Sequence, residues 1–263
     1  MNNTLLEYTF MNLGGLVVLS ICIIITLSLI YLVIKRLFTT PSRLSRIFLI
    51  FLFLVLAYLV AESIECIFPR DILYPGHLTI RGIGSIVIYS VLGFSFSVIF
   101  AMVREFIFKW KIWTEYAFFI YTSVFVGITI IGYFTGIGWE FVQTADELVY
   151  QEILLLVAFL LVLPTFFLLL LGTKFYSRAK QLTDITDRRS LQFISIGYFI
   201  FTGIFIAVIG VLAIDPNPSR TLWSIVTGIP LIFVIFFFYI GFYRPSFIME
   251  HYKKKIWIAE VLR

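Results

Sequence analysis

Seven long apolar runs constrain the fold of this chain more than any other feature of its sequence. The runs lie near 11–34, 47–68, 82–103, 115–135, 151–172, 190–213 and 221–243. Each is long enough for the roughly 20 residues that cross a bilayer as a helix. Helices are expected because the runs are continuous, and open strand edges would leave backbone groups unsatisfied in lipid. The sequence predicts an all-α, polytopic membrane protein with a bundle of seven transmembrane helices.

The composition favours the same class. Of the 263 residues, 61% are hydrophobic and 13% are charged, and the mean hydropathy is +1.03. Soluble domains carry about 25% charged residues, so this chain has too few to cover a soluble surface of its size. The segments between the runs are too short to bury cores of their own. We therefore expect a single transmembrane domain over residues 1–243.

The basic residues predict the orientation of the bundle. Of the 20 lysines and arginines, 17 fall in the linkers after the first, third and fifth runs or in the C-terminal segment, whereas Arg70, Arg81 and Arg220 fall on the other side. The positive-inside rule places the richer side in the cytoplasm, with the N-terminus outside and the C-terminus inside. The first ten residues lack Lys and Arg, so no cleavable signal peptide is expected. We expect a multi-pass protein of the cell membrane.

The last segment, 244–263, predicts a cytoplasmic tail that is amphipathic and basic. Pro245 suits a first helical turn. Five apolar residues then recur at spacings of three or four, on one side of a helix: Ile248, Met249, Tyr252, Ile256 and Ala259. The lysines at 253–255 fall mostly on the other side, so the tail is expected to lie along the inner leaflet. The net charge of +5 is read as a signal for topology and lipid headgroups, and nucleic acid is not an expected partner.

Several kinds of chemistry are not expected. Every lysine lies in a cytoplasmic linker or the tail, so no helix offers an amine for a retinal Schiff base. The two histidines, His77 and His251, fall on opposite sides of the membrane, which argues against an intramembrane metal site or a histidine base. Cys22 and Cys66 lie at different depths and are expected to remain unpaired. We predict no enzymatic activity, no cofactor and no metal.

Two carboxylates, Glu62 and Glu65, interrupt the end of the second run in LVAESIECIF. They are three positions apart and share a helix face with Tyr58, one turn below Glu62. An ionised side chain in hydrocarbon is costly, so the placement requires an explanation. The functional interpretation is that the carboxylates line an outward-open cavity and bind a cation, a proton or a basic ligand. Tyr58 and Arg81 complete this candidate site.

The alternative interpretation of the two glutamates is architectural. Glu65 would pair with Arg81, which opens the third run at nearly the same level. Glu62 would instead bond to hydroxyls from the outer halves of neighbouring helices: Ser85, Tyr89, Ser224 or Thr227. The sequence leaves both interpretations open.

Small residues and prolines suggest where helices pack or bend. Gly203, Ala207 and Gly210 form a stripe in the sixth run, and such stripes let helix backbones approach closely. Pro164 and Pro230 each remove a backbone donor inside a run, which favours kinks in the fifth and seventh helices.

The segment FLIFLFLVLAYLVAESIECIF, with an apolar third run that begins near GIGSIVIYS, resembles part of a known sensor family. It is similar to the second and third helices of the N-terminal seven-helix sensor region of membrane histidine kinases, in which a glutamate ends the second helix; Glu65 would correspond to it. The exit FYIGFYRPSFI resembles the passage from the seventh helix to a cytoplasmic connector. This chain departs from the family because no dimerisation helix, phosphoacceptor His or ATP lid follows. The resemblance implies a sensor-like module without its own output domain.

Two functions remain open at this point. The first is a membrane sensor or receptor-like module that detects an outer stimulus or small ligand and relays a helix shift to a cytoplasmic signalling protein. The alternative is a small secondary transporter, because the first three and last three runs share a topology suited to a parallel repeat. The charged groups cluster near the outer surface, which favours the sensor. Besides the lipid bilayer and the signalling protein, a second copy of the chain is a candidate partner.

Overall fold

A computed structural model describes residues 12–39, 41–67, 139–143, 148–152, 154–214 and 220–244, together with scattered positions between 87 and 131. Five helices are delimited in these residues: α1 (Leu13–Thr39), α2 (Arg43–Ile67), α3 (Leu154–Lys180), α4 (Ile185–Ile214) and α5 (Arg220–Tyr243). A hairpin of β1 (Trp139–Gln143) and β2 (Leu148–Glu152) precedes α3. The described positions within 87–101 and 116–131 are all helical.

Four of the described helices are long and apolar enough to cross a membrane. These spans are Leu13–Thr39, Arg43–Ile67, Ile185–Val211 and Thr221–Tyr243. Large apolar side chains cover their outer faces, as at Ile24, which is 63% exposed, and Phe233, which is 50% exposed. Soluble monomers rarely expose such continuous apolar surface. The described part of the chain therefore has the helical, membrane-spanning character that its sequence predicts.

The helices extend beyond the predicted apolar runs because their ends are fixed by capping groups. α2 begins at Arg43 rather than near 47, and the Ser45 amide donates to the Ser42 hydroxyl at 3.1 Å. α4 begins at Ile185 rather than near 190, and the Asp187 amide donates to Asp184 Oδ1 at 2.8 Å. Side chains of this kind satisfy the free amides of a first turn. The apolar runs predicted the hydrocarbon-facing parts, and the helices continue past them.

The helical fold predicted from the sequence is confirmed in the described residues, apart from one short hairpin at residues 139–152. β1 and β2 pair antiparallel, from Trp139↔Glu152 to Gln143↔Leu148. The segments WEFVQ and LVYQE are rich in the aromatic and β-branched residues that favour strands. The fifth predicted helix, near 151–172, accordingly starts later, at Leu154, and ends at Lys180.

The described helices belong to two compact units that share α5. The first unit contains α1, α2, the hairpin and α5 up to Gly228. In this unit α1 packs along α2. A Cβ built on Gly14 would lie 3.0 Å from Thr221 Cγ2, and one built on Gly228 would lie 3.6 Å from Cys22 Sγ. Because these contacts advance in the same order on both helices, α1 and the first part of α5 are parallel.

The second unit contains α3 from Leu161, α4, and α5 from Ile229. Here glycines let the helices touch. The Ser195 hydroxyl of α4 donates to the Gly172 carbonyl of α3 at 2.8 Å. A Cβ on Gly197 would lie 2.6 Å from the Phe238 ring, and one on Gly241 would lie 2.9 Å from the Ser190 carbonyl oxygen. The order of these contacts makes α4 and α5 antiparallel.

The predicted small-residue stripe in α4 is not where the described helices meet. Nothing in the described part of the chain lies within 4 Å of a Cβ built on Gly203 or Gly210, and both positions are exposed. The close approaches occur at Gly172, Gly197 and Gly241 instead. A small residue in a wholly apolar helix therefore does not reveal which face meets another helix.

The end of α5 combines an unusual backbone angle with an ion pair. Arg244 has φ 48°, and its amide still donates to the Ile240 carbonyl at 2.9 Å. A residue with a Cβ in this left-handed region costs about 1–2 kcal/mol. The Arg244 guanidinium contacts Asp187 Oδ1 at 2.5 Å, and the two side chains are 43% and 44% exposed. Such exposed ion pairs contribute about 0–1 kcal/mol, so the two effects are similar in size and opposite in sign.

The glycine contacts predict which substitutions destabilise the second unit. Gly241→Ala places a methyl against the Ser190 carbonyl and 2.5 Å from Ile194 Cγ1, so backbone must shift. We expect a loss of about 1–3 kcal/mol in the free energy of unfolding, the usual cost of overpacking. Gly203→Ala is the matched control and should not destabilise the protein, because a helix interior favours Ala over Gly by about 1 kcal/mol. Unfolding of both variants in the same detergent checks this, and equal losses would contradict the described packing.

Candidate functional site

A buried polar cluster lies where the end of α2 meets the start of α5. We call it the carboxylate cluster, and its members are Tyr58, Glu62, Glu65 and Cys66 of α2 with Trp223, Ser224 and Thr227 of α5. Glu62 is 2% exposed and Glu65 is 3% exposed. In the described part of the chain these are the buried residues with an ionisable carboxylate. The cluster therefore contains the groups most costly to bury in the described helices.

The helical repeat brings these side chains together. Tyr58 and Glu62 are four residues apart on α2, and Trp223 and Thr227 are four residues apart on α5, so each pair lies on one face of its helix. Glu62 pairs with Trp223 and Tyr58 with Thr227, so α2 and α5 run antiparallel here. At ~1.5 Å per residue, Glu62 lies about 7–8 Å from the end of α2. The cluster thus lies within about three turns of these helix ends.

Glu62 is hydrogen-bonded to the indole of Trp223. Trp223 Nε1 donates to Glu62 Oε1 at 3.1 Å. An indole can only donate, so this bond forms with an ionised carboxylate or with the carbonyl oxygen of a neutral acid. The bond is stronger when the carboxylate is charged. Its strength therefore depends on the charge of Glu62, and it connects that charge directly to α5.

Tyr58 extends the hydrogen-bonded chain. Its hydroxyl contacts the side chains of Glu62 and Thr227. The Thr227 hydroxyl also lies 2.9 Å from the Trp223 carbonyl, to which it donates. Each hydroxyl has a single proton. With Glu62 ionised, Tyr58 donates to the carboxylate. With Glu62 neutral, its proton is donated to Tyr58, and Tyr58 in turn donates to Thr227. The arrangement accommodates both charge states.

Both interpretations of the glutamates are tested only in part. In the structure Tyr58 lies beside Glu62. Arg81, with which Glu65 was predicted to pair, lies outside the described residues, as do Ser85 and Tyr89.

The remaining hydroxyls predicted to bond to Glu62, those of Ser224 and Thr227, belong to the cluster. Ser224 Oγ lies 3.9 Å from Cys66 Sγ, and Thr227 contacts Tyr58. A hydrogen bond to Glu62 comes from Trp223, which was not among the predicted partners. The sequence held one indication of this partner. Trp223 lies one turn before Thr227 on the same face of α5, and a partly buried indole needs a hydrogen-bond acceptor.

The two cysteines contact α5 at different levels. Cys66 lies near Ser224, and Cys22 lies near Gly228, one turn further along the helix. Both are buried free thiols. Within the described residues, no group of three or more His, Cys, Asp or Glu is placed to hold a metal ion. His77 and His251 lie outside those residues.

No protein-family model, curated protein or solved structure matches this chain. The resemblance to the sensor region of histidine kinases therefore stays a prediction. The functional argument depends on the geometry of the carboxylate cluster.

The Glu62–Trp223 hydrogen bond predicts coupled stability effects. Trp223→Phe removes the donor from a buried carboxyl group, so we expect a loss of about 1–3 kcal/mol in the free energy of unfolding. In a Glu62→Gln background the same change should cost less, because the bond no longer involves a group that can be charged. A double-mutant cycle measured by unfolding in detergent tests this. Tyr31→Phe, at an exposed position of α1, is the control. Strictly additive losses would contradict the coupling.

Proposed function

We propose that this protein is a multi-pass sensor of the cell membrane, which detects a stimulus at its outer face and relays it as a shift of α5. The observation that carries the proposal is the burial of Glu62 and its hydrogen bond to Trp223. A buried carboxyl group loses its charge when it binds a proton, and a bound cation balances the charge of the ionised group. Here that change acts directly on the helix whose other end leads to the C-terminal segment.

We propose two further spans between α2 and the hairpin, which give a total of seven. The described helical positions within 87–101 and 116–131 fall in the two remaining apolar runs. The total also counts α3, whose sequence is free of charged residues from Leu154 until Lys174. The length and apolar character of both runs favour seven spans.

The cations support an outer position for the carboxylate cluster. Exposed basic side chains occur where α1 ends and α2 begins, and again where α3 ends and α4 begins: Arg36, Arg43, Arg178, Lys180, Arg188 and Arg189. The end of α1 and the start of α2 are opposite to the end of α2 that carries the cluster. By the positive-inside rule they are cytoplasmic, and the cluster is near the outer surface.

A change in the charge of Glu62 has a direct route into α5. Neutralising Glu62 weakens its bond to Trp223 and reverses the direction of the bond to Tyr58. Seven residues further along α5, Pro230 lacks the backbone donor that would stiffen the helix. We propose that α5 changes its bend near Pro230 when the ligand binds. A ligand shifts such an equilibrium only through different affinities for the two states.

The transporter remains an alternative prediction. A transport pathway needs polar or charged groups through the full depth of the membrane. In the described residues, the buried carboxylates are confined to one end of α2, within two turns of Ile67. Buried hydroxyls such as Ser195 and Thr202 occur deeper, but they donate to helix carbonyls. This distribution favours a sensor. We propose no enzymatic activity.

The proposed output partner is a cytoplasmic signalling protein that meets the tail at 244–263. Apart from Arg244, this predicted amphipathic tail lies outside the described residues. The lipid bilayer and a second copy of the chain remain the other predicted partners.

Trp223 provides a reporter for the proposed stimulus. In nanodiscs, titration between about pH 8 and pH 5, or addition of sodium or calcium chloride at the higher pH, should change tryptophan emission through the Trp223–Glu62 bond. The change should disappear in Trp223→Phe and in Glu62→Gln. Asp146→Asn, an acidic residue outside the cluster, should retain it. An unchanged response in both cluster variants, or no response to any of these probes, would contradict the proposed ligand site.

The orientation is tested by labelling from outside intact cells. Cysteines introduced as Asn217→Cys and Asp146→Cys should react with a membrane-impermeant thiol reagent, and Lys180→Cys should not. The native thiols of Cys22 and Cys66 are buried and give the background. Reaction of Lys180→Cys alone would reverse the orientation and place the cluster on the inner side. If Asp146→Cys alone failed to react, the predicted outer position of residue 146 would be wrong.

A further inference from the structure

We propose that the Asp187–Arg244 ion pair is a releasable latch, which fixes the last turn of α5 to the first turn of α4. The inference concerns the end of α5 opposite to the carboxylate cluster. It does not depend on the proposed sensor function, because the latch is defined by contacts within the second unit.

The ion pair completes a series of contacts between the two antiparallel helices. Gly197 meets Phe238, and Gly241 meets Ser190 and Ile194. Three residues beyond Gly241, Arg244 reaches Asp187, which lies three residues before Ser190. The first contacts are buried and closely packed, whereas the ion pair is exposed to solvent. The latch is therefore the last described contact of the series, and it can open without disturbing the packing at Gly241.

The ion pair of the latch contributes little free energy to the closed state. Both side chains are more than two-fifths exposed, so water and salt compete with the ion pair. The left-handed backbone of Arg244 opposes the closed state, because a residue with a Cβ is strained there. Attraction and strain are of similar size, so the open and closed states are close in free energy. This balance is what a switchable contact requires.

The neighbouring groups leave Asp187 available for Arg244. The cap of α4 is formed by Asp184, whose carboxylate accepts from the Asp187 amide. The Asp187 carboxylate is not needed for that role. Of the cations that follow it, Arg189 donates to Gln192 Oε1 at 3.0 Å. Substitution of Asp187 by Asn should therefore remove the ion pair and keep the cap.

The latch controls the order of the last turn of α5. In the closed state the backbone turn at Arg244 is held against the first turn of α4. In the open state the last turn of α5 is free to fray, as helix ends do when their final contacts are lost. The order of this turn then depends on one exposed ion pair.

Hydrogen exchange of the full chain in nanodiscs tests the proposal. In Asp187→Asn, amides in 185–190 and 240–244 should exchange about two to five times faster than in the unaltered protein, as the loss of one exposed ion pair predicts. About 1 M salt should accelerate the unaltered protein by the same factor, because the Debye length falls to ~3 Å. The variant should be insensitive to salt. The comparison of low and high salt in the unaltered protein needs no variant, so it tests the proposal even where a variant folds poorly.

Two further variants separate the ion pair from a general effect of charge. Arg188→Gln removes an exposed cation next to Asp187 and should leave the exchange unchanged. Arg244→Gln should match Asp187→Asn, and the double variant should exceed neither single variant. Additive effects, an equal effect of Arg188→Gln, or exchange in the unaltered protein that is independent of salt would each overturn the latch. The same results are expected in a Glu62→Gln background, so failure of the outer site would not be mistaken for failure of the latch.

Discussion

Close packing against α5 is the constraint on which the described structure depends. In lipid the hydrophobic effect does not drive helices together, so they associate through van der Waals contact and hydrogen bonds. α5 provides both kinds of interaction. Gly228 lets it approach α1, Gly241 lets it touch the backbone of α4, and Trp223 bonds to Glu62 of α2. Each described unit contains one part of this helix.

The sequence predicts the membrane helices well because lipid imposes their length and apolar character. It predicts their ends less well, since caps such as Ser42 and Asp184 lie outside the apolar runs. The hairpin at 139–152 was missed because two five-residue strands give a weak periodic signal beside several acidic residues. The stripe at Gly203 and Gly210 was misjudged for a different reason: in a helix that is apolar all round, composition does not distinguish a lipid-facing side from a packed one.

Only the charged residues of the candidate site, and the tyrosine one helical turn from them, could be predicted from the sequence. Glu62 and Glu65 stand out because carboxylates are rare in apolar runs, and helical spacing then identifies Tyr58. The Trp223 partner is 161 residues away in the chain, so no local pattern connects it to Glu62. Its position near a helix end is equally typical of an interfacial tryptophan. The hydrogen bond that gives the cluster its chemistry is a long-range contact, and a single sequence does not contain that information.

The polar contacts at the two ends of α5 are both weak enough to be reversible. A hydrogen bond to a charged group contributes about 1.5–3 kcal/mol and a neutral one about 0.5–1.5 kcal/mol, so neutralising Glu62 changes its bond to Trp223 by on the order of 1 kcal/mol. The exposed Asp187–Arg244 pair contributes about 0–1 kcal/mol and is opposed by strain at Arg244. A change of charge at the first contact, or of salt at the second, is therefore comparable in free energy to the contact itself, whereas a stronger ion pair in a buried position would not respond to salt.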